Sequence, residues 1–262
     1  MQKKQYNFPV ELTSIATRYK GTSVKIPSRK AVLRTDTLYP LGIVSTKYAL
    51  LKHEDVINGF RKALQNERYV ESIQVTKNGA HLYATYSLPQ HTVEVTPGDR
   101  ISLQFVVKNS YDGSNALQIA LGAFRIVCSN GMMIGKKFFT FTQKHVGSDA
   151  GVDVAKLKDK VDMLVGQFGK ALPLMQEMAK TPLTTLGDDI DALFDHKKLR
   201  MPKYLLEEAR AEYYIGPDAS LWGYYNSLTS VITHKMKKPS PALILEYGQT
   251  AWKAATSGLL KA

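Results

Sequence analysis

Residues 99–145 read DRISLQFVVKNSYDGSNALQIALGAFRIVCSNGMMIGKKFFTFTQKH, and the fold of the chain turns on how this stretch is parsed. Runs rich in Ile, Val, Leu, Phe and Thr are interrupted at Asp112-Gly113 and Asn130-Gly131, dipeptides that tolerate φ > 0 at both central positions of a type I′ turn. They predict a three-strand antiparallel meander. With two-residue turns at both sites, Arg100 falls opposite Arg125 and Arg125 opposite Lys136, on a sheet face that also carries Ser102, Gln104, Lys108, Phe138, Thr140, Thr142 and Lys144. The other face takes Ile101, Leu103, Phe105, Val107, Phe124, Ile126, Phe139 and Phe141 and reads as core. Like charges facing each other across strands repel, so a row of cations there predicts an anion seated on it. A turn longer by one residue would flip a strand and dissolve the row.

Outward from the meander, Tyr69–Leu88 predicts another hairpin, turning at Asn78-Gly79. Its dry face carries Ile73, Val75, Leu82, Ala84, Tyr86 and Leu88; His81 and Tyr83 fall on the wet one. His53–Glu67 has Val56, Ile57, Phe60, Ala63 and Leu64 at helical spacing, acids in the first turn and bases near the end, and should pack on the sheet. The opening segment to Thr35 is extended, with Pro27 restricting it to loop or edge geometry and a basic cluster at Lys25, Arg29, Lys30 and Arg34. After the linker VGSDAG, residues 146–151, the periodicity becomes helical. Asp153–Lys180 carries an apolar stripe near 3.5 spacing that reads as core or an oligomer seam, with Pro173 expected to kink or interrupt it. Shorter helices follow at Gly187–His196, Lys203–Tyr214, Ser220–Met236 and Pro241–Thr256. The fold class is α+β: a basic β-rich domain over 1–150 with an antiparallel meander and a packed helix, then a helical region over 151–262 that packs on or extends it.

Charge follows the same division. Of 35 Lys+Arg and 23 Asp+Glu, 20 and 10 lie before residue 151, so the positive excess belongs to the strand-rich part and predicts a polyanion partner. No apolar run is long enough to cross a membrane, and Met1–Val10 has two lysines without an apolar core behind them, so a cytoplasmic protein without a signal peptide is expected. The single cysteine, Cys128, excludes an internal disulfide and follows the apolar face of its strand, where a thiol packs as a small hydrophobe. Phosphate-binding GxxxxGK[ST], GxGxxG, GxSxG and HExxH signatures are absent; His53-Glu54 lacks the second histidine. No enzyme activity, cofactor or metal is expected.

Four segments carry a resemblance: RTDTLYPLGIVSTKYALL (34–51), VVKNSYDG (106–113), RIVCSNGM (125–132) and QKHVG (143–147), together with YYNSLT (224–229). The chain resembles the phage/plasmid-like proteins grouped as a domain of unknown function, which implies a mobile-element setting in a bacterial host cytoplasm. More distantly it is similar to the single-strand annealing proteins of phage recombination, which assemble as rings or filaments. The expected function is therefore non-enzymatic binding and annealing of single-stranded DNA by a homo-oligomer, with Arg34, Arg100, Lys108, Arg125, Lys136, Lys137 and Lys144 on phosphates and Tyr111 and Phe138 stacking bases. Two alternatives stand beside it. One is a host-takeover or counter-defence protein that binds an acidic host protein through the same face; the other is a metal-dependent nuclease using Asp112 and His145.

Overall fold

The computed structural model describes residues 6–125, 130–133, 140–147, 151–183 and 193–259. In chain order the elements are β1 (Val10–Tyr19), β2 (Thr22–Arg34), β3 (Tyr39–Ser45), α1 (His53–Ala63), β4 (Val70–Thr76), β5 (His81–Thr96), β6 (Asp99–Ser110), β7 (Leu117–Arg125), β8 (Asn130–Met133), β9 (Thr140–Gln143), α2 (Val154–Lys180), α3 (His196–Leu199), α4 (Lys203–Ile215), α5 (Leu221–His234) and α6 (Pro241–Leu259). The class is α+β, as the change from alternating to helical periodicity predicts. One antiparallel sheet has the order β1-β2-β3, and a second has the order β4-β5-β6-β7-β8 with β9 also paired to β7. The contacts gather into two compact units that interleave along the chain. The first comprises Met1–Tyr86, Phe105–Ala120 and Thr140–Met163; the second comprises Ser87–Gln104, Leu121–Phe139 and Leu164–Ala262.

In the first unit, α1 forms where its apolar spacing places it. Val56, Ile57, Phe60 and Ala63 are buried on one face, while Glu54 and Asp55 sit in the first turn and Arg61 and Lys62 in the last. Phe60 lies 4.6 Å from the Tyr86 ring and 5.6 Å from the Phe105 ring, so the helix packs on β5 and β6 as expected. A ring buried so completely is worth about 2–3 kcal/mol. A neighbouring cluster, Phe8, Val10, Val32, Leu41, Val44, Tyr48, Ala80 and Tyr111, is closed by the β1-β2-β3 sheet.

The turns depart from the expected ones. Asp112 and Gly113 belong to a longer connection, 111–116, between β6 and β7, and of the two only Gly113 takes a positive φ, of 75°. Tertiary contacts outweigh local turn chemistry here. The Tyr111 N–H donates to the Ala80 carbonyl at 2.8 Å, and the Asp112 carboxylate accepts from the Ser114 N–H at 2.9 Å. Asn130 and Gly131 are strand residues rather than turn residues: Arg125 pairs with Asn130 and Phe124 with Gly131. Farther along the same strand, Ile119 pairs with Phe141 and Ala120 with Thr140. At Asn78-Gly79 the connection is a 3-10 turn over Lys77–Gly79 with Asn78 at φ 56°. Both strand pairings survive with longer connections.

The second unit is built around α5. Ser220 caps it, its hydroxyl accepting from the Trp222 and Gly223 N–H groups at 3.2 Å each. Most of the helix is buried, and it packs against α4, α6 and β8. Tyr225 meets Trp252 of α6 edge-on at 5.4 Å. In α2 the apolar stripe, with Leu157 and Val161 in the first unit and Leu164, Phe168, Met175 and Met178 in the second, is buried and so serves as core. Pro173 does not interrupt the helix. A helical proline forfeits the bond to the carbonyl four residues earlier, and here both Gly169 and Pro173 are exposed, where water can satisfy it.

Candidate functional site

Of the cations expected to form a row, Arg100, Lys108 and Arg125 are individually engaged. Arg125 lies in the second unit, where its Nε and Nη2 donate to Asp99 Oδ1 and Oδ2 at 2.7 and 2.9 Å. Asp99 also accepts from the buried Trp222 indole at 2.7 Å, so the pair is a structural clamp between β6, β7 and α5. Arg100 donates to Glu94 at 3.2 Å. Arg34 forks onto Asp36 at 2.7 and 3.0 Å and lies 4.1 Å from the Phe8 ring. Lys108 is half-buried and already engaged. Tyr111 cannot stack a base: it is 1% exposed, its ring lies 3.8 Å from that of His53, and its hydroxyl accepts from the His53 N–H at 2.7 Å. Lys136, Lys137 and Phe138 lie outside the described residues, as do Cys128 and residues 187–192 of the helix expected over Gly187–His196. Lys144 is exposed.

Two other arrangements stand out, both within the first unit. The first is the β1–β2 hairpin. Its turn is Lys20-Gly21 at φ 47° and 84°, with Tyr19 facing Thr22, and it pairs in register down to Ile15 opposite Ile26. Positive φ at both turn residues is the geometry that matches the twist of a two-residue hairpin. Ten consecutive residues, Ala16 to Lys25, are exposed, so this part of the ribbon presents both faces to water. Between Glu11 and Asp36 the sequence holds six Lys and Arg and no carboxylate. Tyr19, 65% exposed, sits at the tip with the Lys20 ammonium 5.5 Å from its ring. Lys-Gly is a weaker turn signal than Asn-Gly, and for that reason the sequence reading sees an extended segment but not this hairpin.

Below the ribbon the register shifts. Ser14 pairs with Lys30 while Ile15 pairs with Ile26, so Pro27, Ser28 and Arg29 bulge from β2. A bulge is where a proline, lacking an N–H, is tolerated, and it re-aims the side chains it carries. Arg29 there becomes part of the second arrangement, a cleft of about 380 Å3 lined also by Ser45, Tyr48, Asp112, Lys144 and His145. Gly42 lets its walls meet: a Cβ at that position would lie 2.4 Å from the Asp112 Cα. Residues 145 and 146 are tied to β3's end, since the Ala49 N–H donates to the His145 carbonyl at 3.0 Å and Tyr48 bridges to Val146. The His145 ring stacks on Tyr48 at 5.0 Å, and the Tyr48 hydroxyl donates to the Ser110 carbonyl at 2.9 Å.

The histidines around this cleft have different states. His53 is a satisfied core group: its Nε2–H donates to the Gly79 carbonyl at 3.0 Å and its Nδ1 accepts from Asn109 at 3.1 Å. Burial pulls its pKa down to about 3, against the opposing pull of the Gly79 carbonyl, so it stays neutral. His81 donates from Nε2 to Asp112 at 2.7 Å, and Ser114 Oγ lies 3.2 Å from the same nitrogen. Hydroxyl and carboxylate on one nitrogen do not form a relay, which needs them on opposite nitrogens. Burial by itself raises the Asp112 pKa, but the bonds from Ser114 and His81 win and hold it well below the usual carboxylate range. His145 is 8% exposed with both ring nitrogens closed off from solvent, and burial lowers its pKa against the opposing pull of the Ala49 backbone. Asp112 and His145, the pair expected of a nuclease, thus line one cleft. Among the described residues, however, no three His, Cys, Asp or Glu side chains gather to hold a metal ion, and no helix is long and apolar enough to cross a membrane.

No solved structure matches this chain. The β1–β2 ribbon precedes the segment that a protein family matches, whereas the other cleft residues named above fall within it. That segment is residues 40–254, the family is described as a domain of unknown function, DUF932, and the chain belongs to it.

Proposed function

We propose that the protein binds nucleic acid without enzymatic turnover, with the β1–β2 ribbon as its contact surface and single strands as its preferred ligand, in the phage or plasmid setting that the sequence resemblance implies. One observation carries this reading: ten consecutive exposed residues on a two-stranded ribbon, within a segment that has six cations and no carboxylate. Arg18, Lys20 and Lys25, exposed on the ribbon and answered by no carboxylate within it, are free to release the counterions of a phosphate backbone, which supplies most sequence-independent affinity. The exposed Tyr19 adds an aromatic face on which a base can stack, worth about 1–3 kcal/mol. This moves the contact from the β6–β7 face, where the arginines are neutralised, to the ribbon.

Annealing by a homo-oligomer is the fuller form of the proposal, and the mass of the protein in solution with and without oligonucleotide tests it. Binding itself is read by fluorescence anisotropy of labelled single-stranded and duplex DNA from about 50 to 300 mM salt. The expected result is a steep salt dependence with tighter binding to single strands, and a roughly tenfold or greater loss in Tyr19→Ala. Binding to neither DNA at low salt would overturn the reading and leave an acidic protein as the partner for the same ribbon.

A further inference from the structure

The two faces of the β1–β2 ribbon differ in a way that its net charge hides. Residues paired across an antiparallel ribbon share a face, and neighbours along each strand alternate between faces. Above the bulge the pairs are Ile15 with Ile26, Ala16 with Lys25, Thr17 with Val24, Arg18 with Ser23 and Tyr19 with Thr22. One face therefore carries Arg18 and Lys25 beside the small Ala16 and Ser23. The other carries Ile15, Thr17, Tyr19, Thr22, Val24 and Ile26, and no charge. Both are open to water from Ala16 to Lys25; on the uncharged face Val24 is 45% exposed and Tyr19 65%.

This division bears on what a nucleic acid must look like to use the whole ribbon. A polynucleotide strand carries its phosphates on one side and its bases on the other. Held by its phosphates on Arg18 and Lys25, it turns its bases away from the ribbon and reaches Tyr19 only by bending round the tip. A second strand on the opposite face meets no counter-charge for its phosphates, but it does meet apolar and hydroxyl side chains against which unpaired bases can lie. At the tip the Lys20-Gly21 turn leaves the Tyr19 ring open, with the Lys20 ammonium 5.5 Å from its centre. An aromatic ring so placed is suited to stack on the last pair of a base-paired end.

We propose that the preferred ligand of the ribbon is a junction at which a DNA duplex opens into two single strands. The ribbon sits between the arms, with Arg18 and Lys25 on the phosphates of one, the uncharged face on the bases of the other, and Tyr19 on the last base pair. This rests on the reading of the ribbon as a nucleic-acid contact and specifies its substrate.

Fluorescence anisotropy on the full chain tests it with three labelled DNAs: a fork whose duplex opens into two non-complementary arms, a single strand with the same total number of nucleotides, and a blunt duplex. The fork is expected to bind at least about tenfold more tightly than either of the others. Val24→Lys adds a cation to the uncharged face, so it should keep or raise single-strand affinity while reducing the fork's advantage to within about threefold. Its urea midpoint should match the parent's, because the position is exposed. 2-Aminopurine in the last pair of the duplex reads the stacking directly: at saturation its fluorescence should change with the parent protein and not with Tyr19→Ala. Equal affinity for fork and single strand, a fork advantage untouched by Val24→Lys, or a 2-aminopurine signal indifferent to Tyr19→Ala would overturn the junction and leave the ribbon as a single-strand contact. A blunt duplex that binds as tightly as the fork would overturn it in favour of a ribbon lying in a groove. Binding to none of the three would overturn the nucleic-acid reading itself, and the junction with it.

Discussion

The β1–β2 ribbon and the β6–β7 strands carry the same kinds of cation in opposite circumstances. On β6 and β7, Arg100 faces Glu94 and Arg125 is gripped by Asp99, which also holds the Trp222 indole. On the ribbon, Arg18, Lys20 and Lys25 lie within a stretch that contains no carboxylate at all. Net charge therefore says little about where a polyanion sits; the distribution of counter-charge decides. A clamped arginine contributes to folding, because separating it from its partner leaves a charge desolvated. An unanswered lysine contributes to association and costs little when removed.

The largest effect should come from breaking the clamp. Asp99→Ala leaves Arg125 mostly buried without its partner and the Trp222 N–H without an acceptor, and is expected to destabilise the second unit by about 3–5 kcal/mol, read from the urea midpoint followed by Trp fluorescence. A shift no larger than that of a surface substitution would mean that Arg125 is available after all. Next, the triple reversal R18E/K20E/K25E should leave that midpoint within about 0.5 kcal/mol and lower the slope of log affinity for single-stranded DNA against log salt by about 2. Arg100→Ala, made as its counterpart, should leave the slope unchanged.

A smaller effect extends the comparison to the histidines. His53 is answered on both ring nitrogens and held neutral in the fold, with a pKa of about 3, while the unfolded chain protonates it near 6.5. The unfolded state therefore binds more protons between those values. Stability is fully present above about pH 6.5 and falls by up to about 1.4 kcal/mol per unit as the pH drops toward 3. Asp112 works in the same direction but only lower, since its contribution is lost as pH falls below the unfolded carboxylate range. Urea midpoints between pH 7.5 and 5 thus exclude Asp112 and read His53 together with His145, whose pKa burial also lowers. In His53→Gln the slope over that interval should flatten, and an unchanged slope would assign it to His145. The smallest effect belongs to Arg100→Ala on stability, a urea midpoint indistinguishable from that of the parent, because its pair with Glu94 is exposed.

The α+β class, α1, the capped start of α5, the buried stripe of α2 and the apolar face of Ile101, Leu103, Phe105 and Val107 were all legible, because periodicity and capping act within one element. Strand register was not. Asp112-Gly113 and Asn130-Gly131 satisfy the local requirements of tight turns, yet Tyr111 belongs to a core assembled from Phe8 and His53, nearly sixty residues away or more, and Asn130 to a ladder with Arg125. Charge balance followed the same rule: the sequence by itself determined that residues 12–35 contain no acid, so the exposed run from Ala16 to Lys25 carries cations and no carboxylate of its own. Only the tertiary structure decided that Arg125 would meet Asp99, and that Arg29, Asp112 and His145 would line one cleft, because those meetings depend on a bulge, a turn and a long-range core rather than on any neighbouring residue.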